Sequence, residues 1–173
     1  MKLLKYFLFL VLCVTAGLAI YFFYPDTPLP KDTVIDKIVV LKSERKLKVY
    51  SKGKLIKTYR ISLGLNPVGA KRVEGDMKTP EGIYYINGKN PKSSYYKNLG
   101  ISYPNNADRK RAKALGKSTG GDIKIHGFKT GSEGPGRLHL LKDWTHGCIA
   151  LMNEEVDELY DHTAVGTPIE IKP

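Results

Sequence analysis

Lys46-Leu47-Lys48-Val49-Tyr50-Ser51-Lys52-Gly53-Lys54-Leu55-Ile56-Lys57-Thr58-Tyr59-Arg60-Ile61 reads as two strands folded on a short turn. Apolar and polar residues alternate with the two-residue period of a half-buried strand, and Ser51-Lys52-Gly53 supplies the hairpin between the runs. Ile38-Val39-Val40-Leu41 just before them extends the pattern into an antiparallel meander. Further strands are predicted at Ile83-Tyr84-Tyr85-Ile86, after the turn Thr79-Pro80-Glu81-Gly82, at Asp122-Ile123-Lys124-Ile125-His126, and at Pro168-Ile169-Glu170-Ile171.

Two helices are predicted, a short basic one over Ala107–Leu115 with Gly116 as its stop, and one from Glu154 to about Thr163 capped by Asn153. Val156, Leu159 and Tyr160 give the second an apolar face, and its leading glutamates suit the positive end of the helix dipole. The class is mainly β with one packed helix.

The first 24 residues are of another kind. Lys2 and Lys5 carry the only charges before Asp26, and Tyr6 to Tyr24 is uncharged. Nineteen such residues are long enough to cross the ~30 Å hydrocarbon layer as a helix. The lysines keep that end in the cytoplasm, and Tyr21 to Tyr24 would form an aromatic girdle at the exit. A cleaved signal segment is the rival reading, with Val14-Thr15-Ala16 as the small-residue site, but the apolar run continues past it to Phe23. The expected organisation is an anchor or signal segment over 1–24, a stiff proline-rich spacer over 25–34 that holds the domain off the membrane, and one domain over 35–173.

Two cysteines are present. Cys13 lies in the apolar segment, and Leu12 before it makes it a poor lipid acceptor. Cys148 is then a solitary thiol on the exported side, where unpaired thiols are more often reactive than structural. It stands in Thr145-His146-Gly147-Cys148-Ile149-Ala150-Leu151, 22 residues after His126-Gly127. A thiol attacks carbonyls usefully when an imidazole takes its proton, and His126 is the candidate base. Gly147 allows close approach of a substrate carbonyl, and the amides of Gly147 and Cys148 are candidate oxyanion donors. A small buried Cys148 in a core strand is the plain alternative. Rapid labelling of Cys148 by a thiol probe at neutral pH would mark an enzyme. His139 is a competing base, and His146 and Trp144 are candidate lining residues, as are Tyr95, Tyr96 and Tyr103. The spacing of His126, His139, His146 and Cys148 fits none of the paired zinc patterns, so neither metal nor cofactor is expected.

Together, Ile125-His126-Gly127, Thr145-His146-Gly147-Cys148-Ile149, Thr79-Pro80-Glu81-Gly82 and Gly166-Thr167-Pro168-Ile169-Glu170-Ile171 resemble the YkuD-type L,D-transpeptidase catalytic domain family. Gly64-Leu65-Asn66-Pro67-Val68-Gly69, Ile101-Ser102-Tyr103-Pro104-Asn105 and Asp143-Trp144-Thr145 look closest to its YafK-like branch. The resemblance implies an L,D-transpeptidase-like β-sandwich and two-step acyl transfer on peptidoglycan stem peptides. Cys148 would be the nucleophile, His126 the base and the Gly127 carbonyl its orienting partner, with Thr145, His146 and Gly147 shaping the oxyanion site. Most transpeptidases of the family carry Arg where this chain has Ala150. Hydrolysis of a stem peptide or of a peptidoglycan–lipoprotein linkage is therefore an alternative, and an inactive membrane-tethered peptidoglycan-binding module is another. A papain-like peptidase fits poorly, since its Cys-before-His order is reversed here.

The implied setting is the bacterial inner membrane, crossed once, with the domain in the periplasm or cell-wall space and a part in wall biogenesis and cell shape. Two of the 28 basic residues and none of the 17 acidic ones precede residue 25, so 26 basic face 17 acidic residues outside, a net +9. Such a surface attracts acidic stem peptides and anionic lipid headgroups. Arg109-Lys110-Arg111 and Lys113 read as a solvated helix face and not as a nucleic-acid reader.

Overall fold

The computed structural model describes residues 2–23, 27–132 and 134–173 of the 173-residue chain. The strands are β1 (Lys37–Leu41), β2 (Lys46–Ser51), β3 (Lys54–Arg60), β4 (Gly82–Ser93), β5 (Tyr96–Ile101), β6 (Lys124–His126), β7 (Ile149–Ala150) and β8 (Pro168–Lys172). The helices are α1 (Lys2–Phe23), α2 (Asn106–Ala114) and α3 (Asn153–His162), and Gly136–Leu141 forms a 3₁₀ turn.

In the β2–β3 hairpin, Lys52 (φ 49°) and Gly53 (φ 73°) are both left-handed, as a two-residue primed turn requires. All eight strands join one sheet in the order β3-β2-β1-β8-β4-β5-β6-β7. The closing strand β8 lies parallel to β1 and antiparallel to β4. Long β4 belongs to both halves, pairing with β8 through Gly82–Tyr85 and with β5 through Ile86–Ser93. The expected sandwich is thus one curled sheet, and Val40, Leu47, Ile86, Leu99, Ile125 and Ile169 from both halves meet in one core. Val156 and Leu159 of α3 enter the same core, which sets α3 against β5 and β6.

Three expectations need correction. Asn153 does not cap α3; Met152 precedes the helix, and its amide donates to Glu155 Oε2 at 3.0 Å. α2 begins one residue early, closed by a reciprocal capping box between Asn105 and Asp108. The spacer over 25–34 is not free-standing where it is described. Lys57 Nζ donates to Thr27 O (2.8 Å), the Leu29 amide donates to Glu158, and the Ile35 amide donates to His162 O (2.9 Å). Residues 27–35 therefore lie along β3 and α3.

α1 is a 22-residue helix whose most apolar stretch, Lys2–Ile20, has mean hydropathy 2.3, long and apolar enough to cross a membrane. Tyr24, Pro25 and Asp26 of the expected girdle and spacer lie outside the described residues, as do the side chains of Tyr21 to Phe23.

Candidate active site

Two short strands bring the cysteine to the histidine. β6 and β7 are parallel at the end of the sheet, with Ile125 opposite Ile149 and His126 opposite Ala150. The Leu151 amide donates to His126 O at 3.0 Å and locks that register. Cys148, one residue before β7, then lines the same cavity of about 450 Å³ as His126, Trp144, Thr145 and His146.

His126 is 5% exposed. Its Nδ1 lies 2.7 Å from Gly127 O, and since a carbonyl only accepts, Nδ1 carries the proton and Nε2 keeps its lone pair. Tyr95 and Trp144 flank the ring, with centroids 4.9 and 5.8 Å away. Burial holds its pKa below the ordinary imidazole value, against a smaller opposing pull from the Gly127 hydrogen bond. The base is therefore neutral at neutral pH.

A cooperating residue unassigned from sequence is Asn153. Its Oδ1 accepts the Phe128 amide at 2.9 Å, and a Cβ at Gly127 would stand 2.2 Å from the same oxygen. Asn153 thus fixes the segment whose carbonyl orients His126. The sequence offers Asn153 for helix capping as readily as for this role, and no spacing signal separates the two.

Thr145 builds the nucleophile turn. Its hydroxyl donates to Cys148 O (2.8 Å) and accepts the Gly147 amide (3.1 Å). The Gly147 donor expected to face an oxyanion is thus already engaged, whereas the Cys148 amide has no partner among the described residues. Gly147 has φ 135°, and a Cβ there would approach Lys78 O to 2.7 Å. The turn is clamped from outside by the 64–79 loop: Leu65 N donates to Thr145 O (2.9 Å) and Thr145 N to Leu63 O (3.0 Å). A near-buried pair, Lys71 with Asp76 at 2.8 Å, braces that loop.

Cys148 Sγ lies 3.7 Å from Asp122 O, the direction a neutral thiol donates. Burial pushes its pKa up, more than the nearby Lys124 amide lowers it. Rapid labelling at neutral pH is accordingly not what this geometry predicts. In a Cys13→Ser background, iodoacetamide should modify Cys148 more slowly than a free thiol at pH 7, at a rate that climbs with pH as the thiolate forms. Pre-formed thiolate would instead label fast, with no such climb.

His146 is exposed on the cavity rim, and Trp144 is half-buried in its wall. His139 is set behind Trp144, 4% exposed and outside the cavity lining. Its Nδ1 lies 3.2 Å from Ser62 Oγ and 3.5 Å from Trp144 Nε1, and its Nε2 is buried without a partner among the described residues. This placement separates His139 from the thiol, so of the two candidate bases His126 is the one that lines the cavity with Cys148. Tyr95 lines the cavity, whereas the Tyr96 hydroxyl donates to Asp157 and Tyr103 packs in the core beside an adjoining groove.

Burial, with Arg60 adding to it, pushes the pKa of His139 down to about 4. The unfolded chain then binds a proton near pH 6.5 that the folded chain refuses until near pH 4. Stability is complete above pH 6.5 and falls between those values by about 3 kcal/mol. His126 contributes in the same direction. Asp76 and Glu158, whose pKa values are depressed by partners that outweigh burial, lose their contributions only as pH falls further, through their own folded values. Urea midpoints taken from pH 7 to 4 should show the decline, and His139→Gln should flatten it; an unchanged slope in that variant would refute the assignment.

The YkuD L,D-transpeptidase catalytic domain family model matches residues 35–171. YafK of Escherichia coli (strain K12) is 31% identical over 129 residues, 71% of this chain and 45% of YafK. The helical cell shape determining protein Pgp2 of Campylobacter jejuni matches with TM-score 0.59 and 29% identity over 82% of this chain and 48% of that one. Bd1075 of Bdellovibrio bacteriovorus matches with TM-score 0.57 and 24% identity over 84% and 50%, a likeness of fold. The chain spans about half the length of these relatives. With the family model covering the curled sheet up to Ile171 and both motif segments, the chain belongs to the YkuD L,D-transpeptidase catalytic domain family.

Proposed function

We propose that this protein is a cell-envelope cysteine acyltransferase acting on peptidoglycan stem peptides, held by α1 in the inner membrane with its domain outside the cytoplasm. One observation carries the reading: the Nδ1 of His126 is pinned by Gly127 O, so Nε2 is the proton acceptor in a cavity shared with Cys148. On substrate binding the imidazole takes the thiol proton as sulfur attacks the scissile carbonyl. The Cys148 amide faces the developing oxyanion. His126 then protonates the leaving amine, and a second amine or water captures the thioester.

Ala150 favours a second reading. It is fully buried between Ser62 and His126, so no guanidinium stands there to hold a carboxylate. Water as acceptor makes the same site a hydrolase of stem peptides or of a peptidoglycan–lipoprotein linkage.

The test is mass spectrometry of purified muropeptides, and of lipoprotein-linked muropeptides, incubated with the protein. Dimers joined between two diamino acids, or a swapped terminal residue, identify a transferase. Loss of the terminal D-alanine or of the lipoprotein linkage identifies a hydrolase. Unchanged substrate with no adduct on Cys148 sinks both readings and leaves a binding module that acts in wall biogenesis or cell shape without chemistry.

A further inference from the structure

The 3₁₀ turn Gly136–Leu141 carries two leucines that the core does not take in. A 3₁₀ helix closes a turn every three residues, so Leu138 and Leu141 stand one above the other on a single face. They are 53% and 75% exposed, while His139, off that face, is 4% exposed. Leucines exposed singly are ordinary on a protein surface. What distinguishes this pair is where it sits.

Two observations put the face at a lipid surface. α1, apolar enough to cross a bilayer, comes up against the turn. The turn is also fastened near the point where the chain enters the domain. Ser62 Oγ donates to His139 O at 2.9 Å, and five residues earlier Lys57 Nζ holds Thr27 O. Five residues span at most about 18 Å even when fully extended. Arg137 and Lys142 border the leucines in sequence, whereas Asp143 is drawn to Arg45 at 2.8 Å. Basic residues beside an apolar face match anionic headgroups laid over hydrocarbon.

We propose that the face of Leu138 and Leu141 is a membrane-docking edge, seated in the headgroup layer of the anionic bilayer that α1 crosses, with Lys142 against lipid phosphates. The proposal rests on the membrane-spanning reading of α1 above. Its consequence reaches the active site, because the His139 ring lies edge-on to Phe128 at 5.1 Å and its Nδ1 is 3.5 Å from Trp144 Nε1. Trp144 walls the cavity beside His126. A docked turn backs that wall and holds the cavity at a fixed height over the lipid.

Bimane on single cysteines tests this in the full chain, reconstituted in phosphatidylethanolamine–phosphatidylglycerol vesicles with acyl-chain-brominated lipid as quencher. In a Cys13→Ser, Cys148→Ser background, the probe at Leu141→Cys should lose about half its emission or more. One at Leu115→Cys, a leucine 54% exposed at the end of α2, should lose little. Replacing phosphatidylglycerol with phosphatidylcholine, or adding Leu138→Glu, should each cut the Leu141 quenching about twofold. Equal quenching at Leu115 and Leu141 overturns the edge, and quenching that ignores headgroup charge overturns its match to anionic lipid. The native Cys13, labelled in Cys148→Ser, judges the anchor separately. Quenching at Cys13 and not at Leu141 removes the edge and keeps the anchor; quenching at neither removes both.

Discussion

Cys148→Ala is expected to abolish turnover, by at least about 10³-fold, and to leave no adduct after incubation with donor. His126→Gln should lower kcat/KM about 10²- to 10⁴-fold while the thiol remains titratable by alkylation. The asymmetry follows from the resting state. Burial raises the thiol pKa and lowers the imidazole pKa, so the pair rests uncharged and the proton must move during attack. The rate of the parent should fall at acidic pH as His126 gains a proton, and that acidic limb should vanish in His126→Gln. Activity in Cys148→Ala within tenfold of the parent would refute the covalent route, and an unaltered acidic limb in His126→Gln would remove His126 from the chemistry.

Gly64→Ala is expected to cost about 3 kcal/mol, although it adds a single methyl group. Its Cβ would stand 2.2 Å from Met77 O and 3.1 Å from Gly147 Cα, and these are backbone atoms that no rotamer change relieves. The 64–79 loop would be forced off the nucleophile turn, with Tm lowered by roughly 6–12 °C. Gly88→Ala is the control, since nothing lies within 4 Å of its Cβ. Equal melting temperatures for the two variants would show that the loop yields freely and does not clamp Cys148.

Much of this was legible in the chain. The meander, β8 and both domain helices follow from alternation, an apolar helix face and the Gly116 stop, and the two His-Gly motifs name residues that line one cavity. β5 was not, because Tyr-Lys-Asn-Leu-Gly-Ile has weak strand propensity and is held by its neighbours on both sides. β7 was not, because two residues carry no periodicity. β4 was cut short, since Asn-Gly-Lys-Asn-Pro reads as a turn while its pairing with β5 carries it on through bulges. At the site, residue types were readable and occupancy was not. That the Gly147 amide is taken by Thr145, that Asn153 holds Phe128, and that His139 retreats behind Trp144 are contacts across the fold, with no sequence spacing to announce them.

The seating of residues 27–35 on β3 and α3 fixes how far the protein can work. Thr27 is already fastened to Lys57, so four Cα steps separate the end of α1 from the body of the domain, at most about 14 Å of chain. With α1 in a bilayer, such a molecule has no boom to swing. On the membrane-anchored reading proposed above it would patrol the lipid surface in two dimensions and reach only the innermost ply of the wall, with the outer plies beyond its grasp.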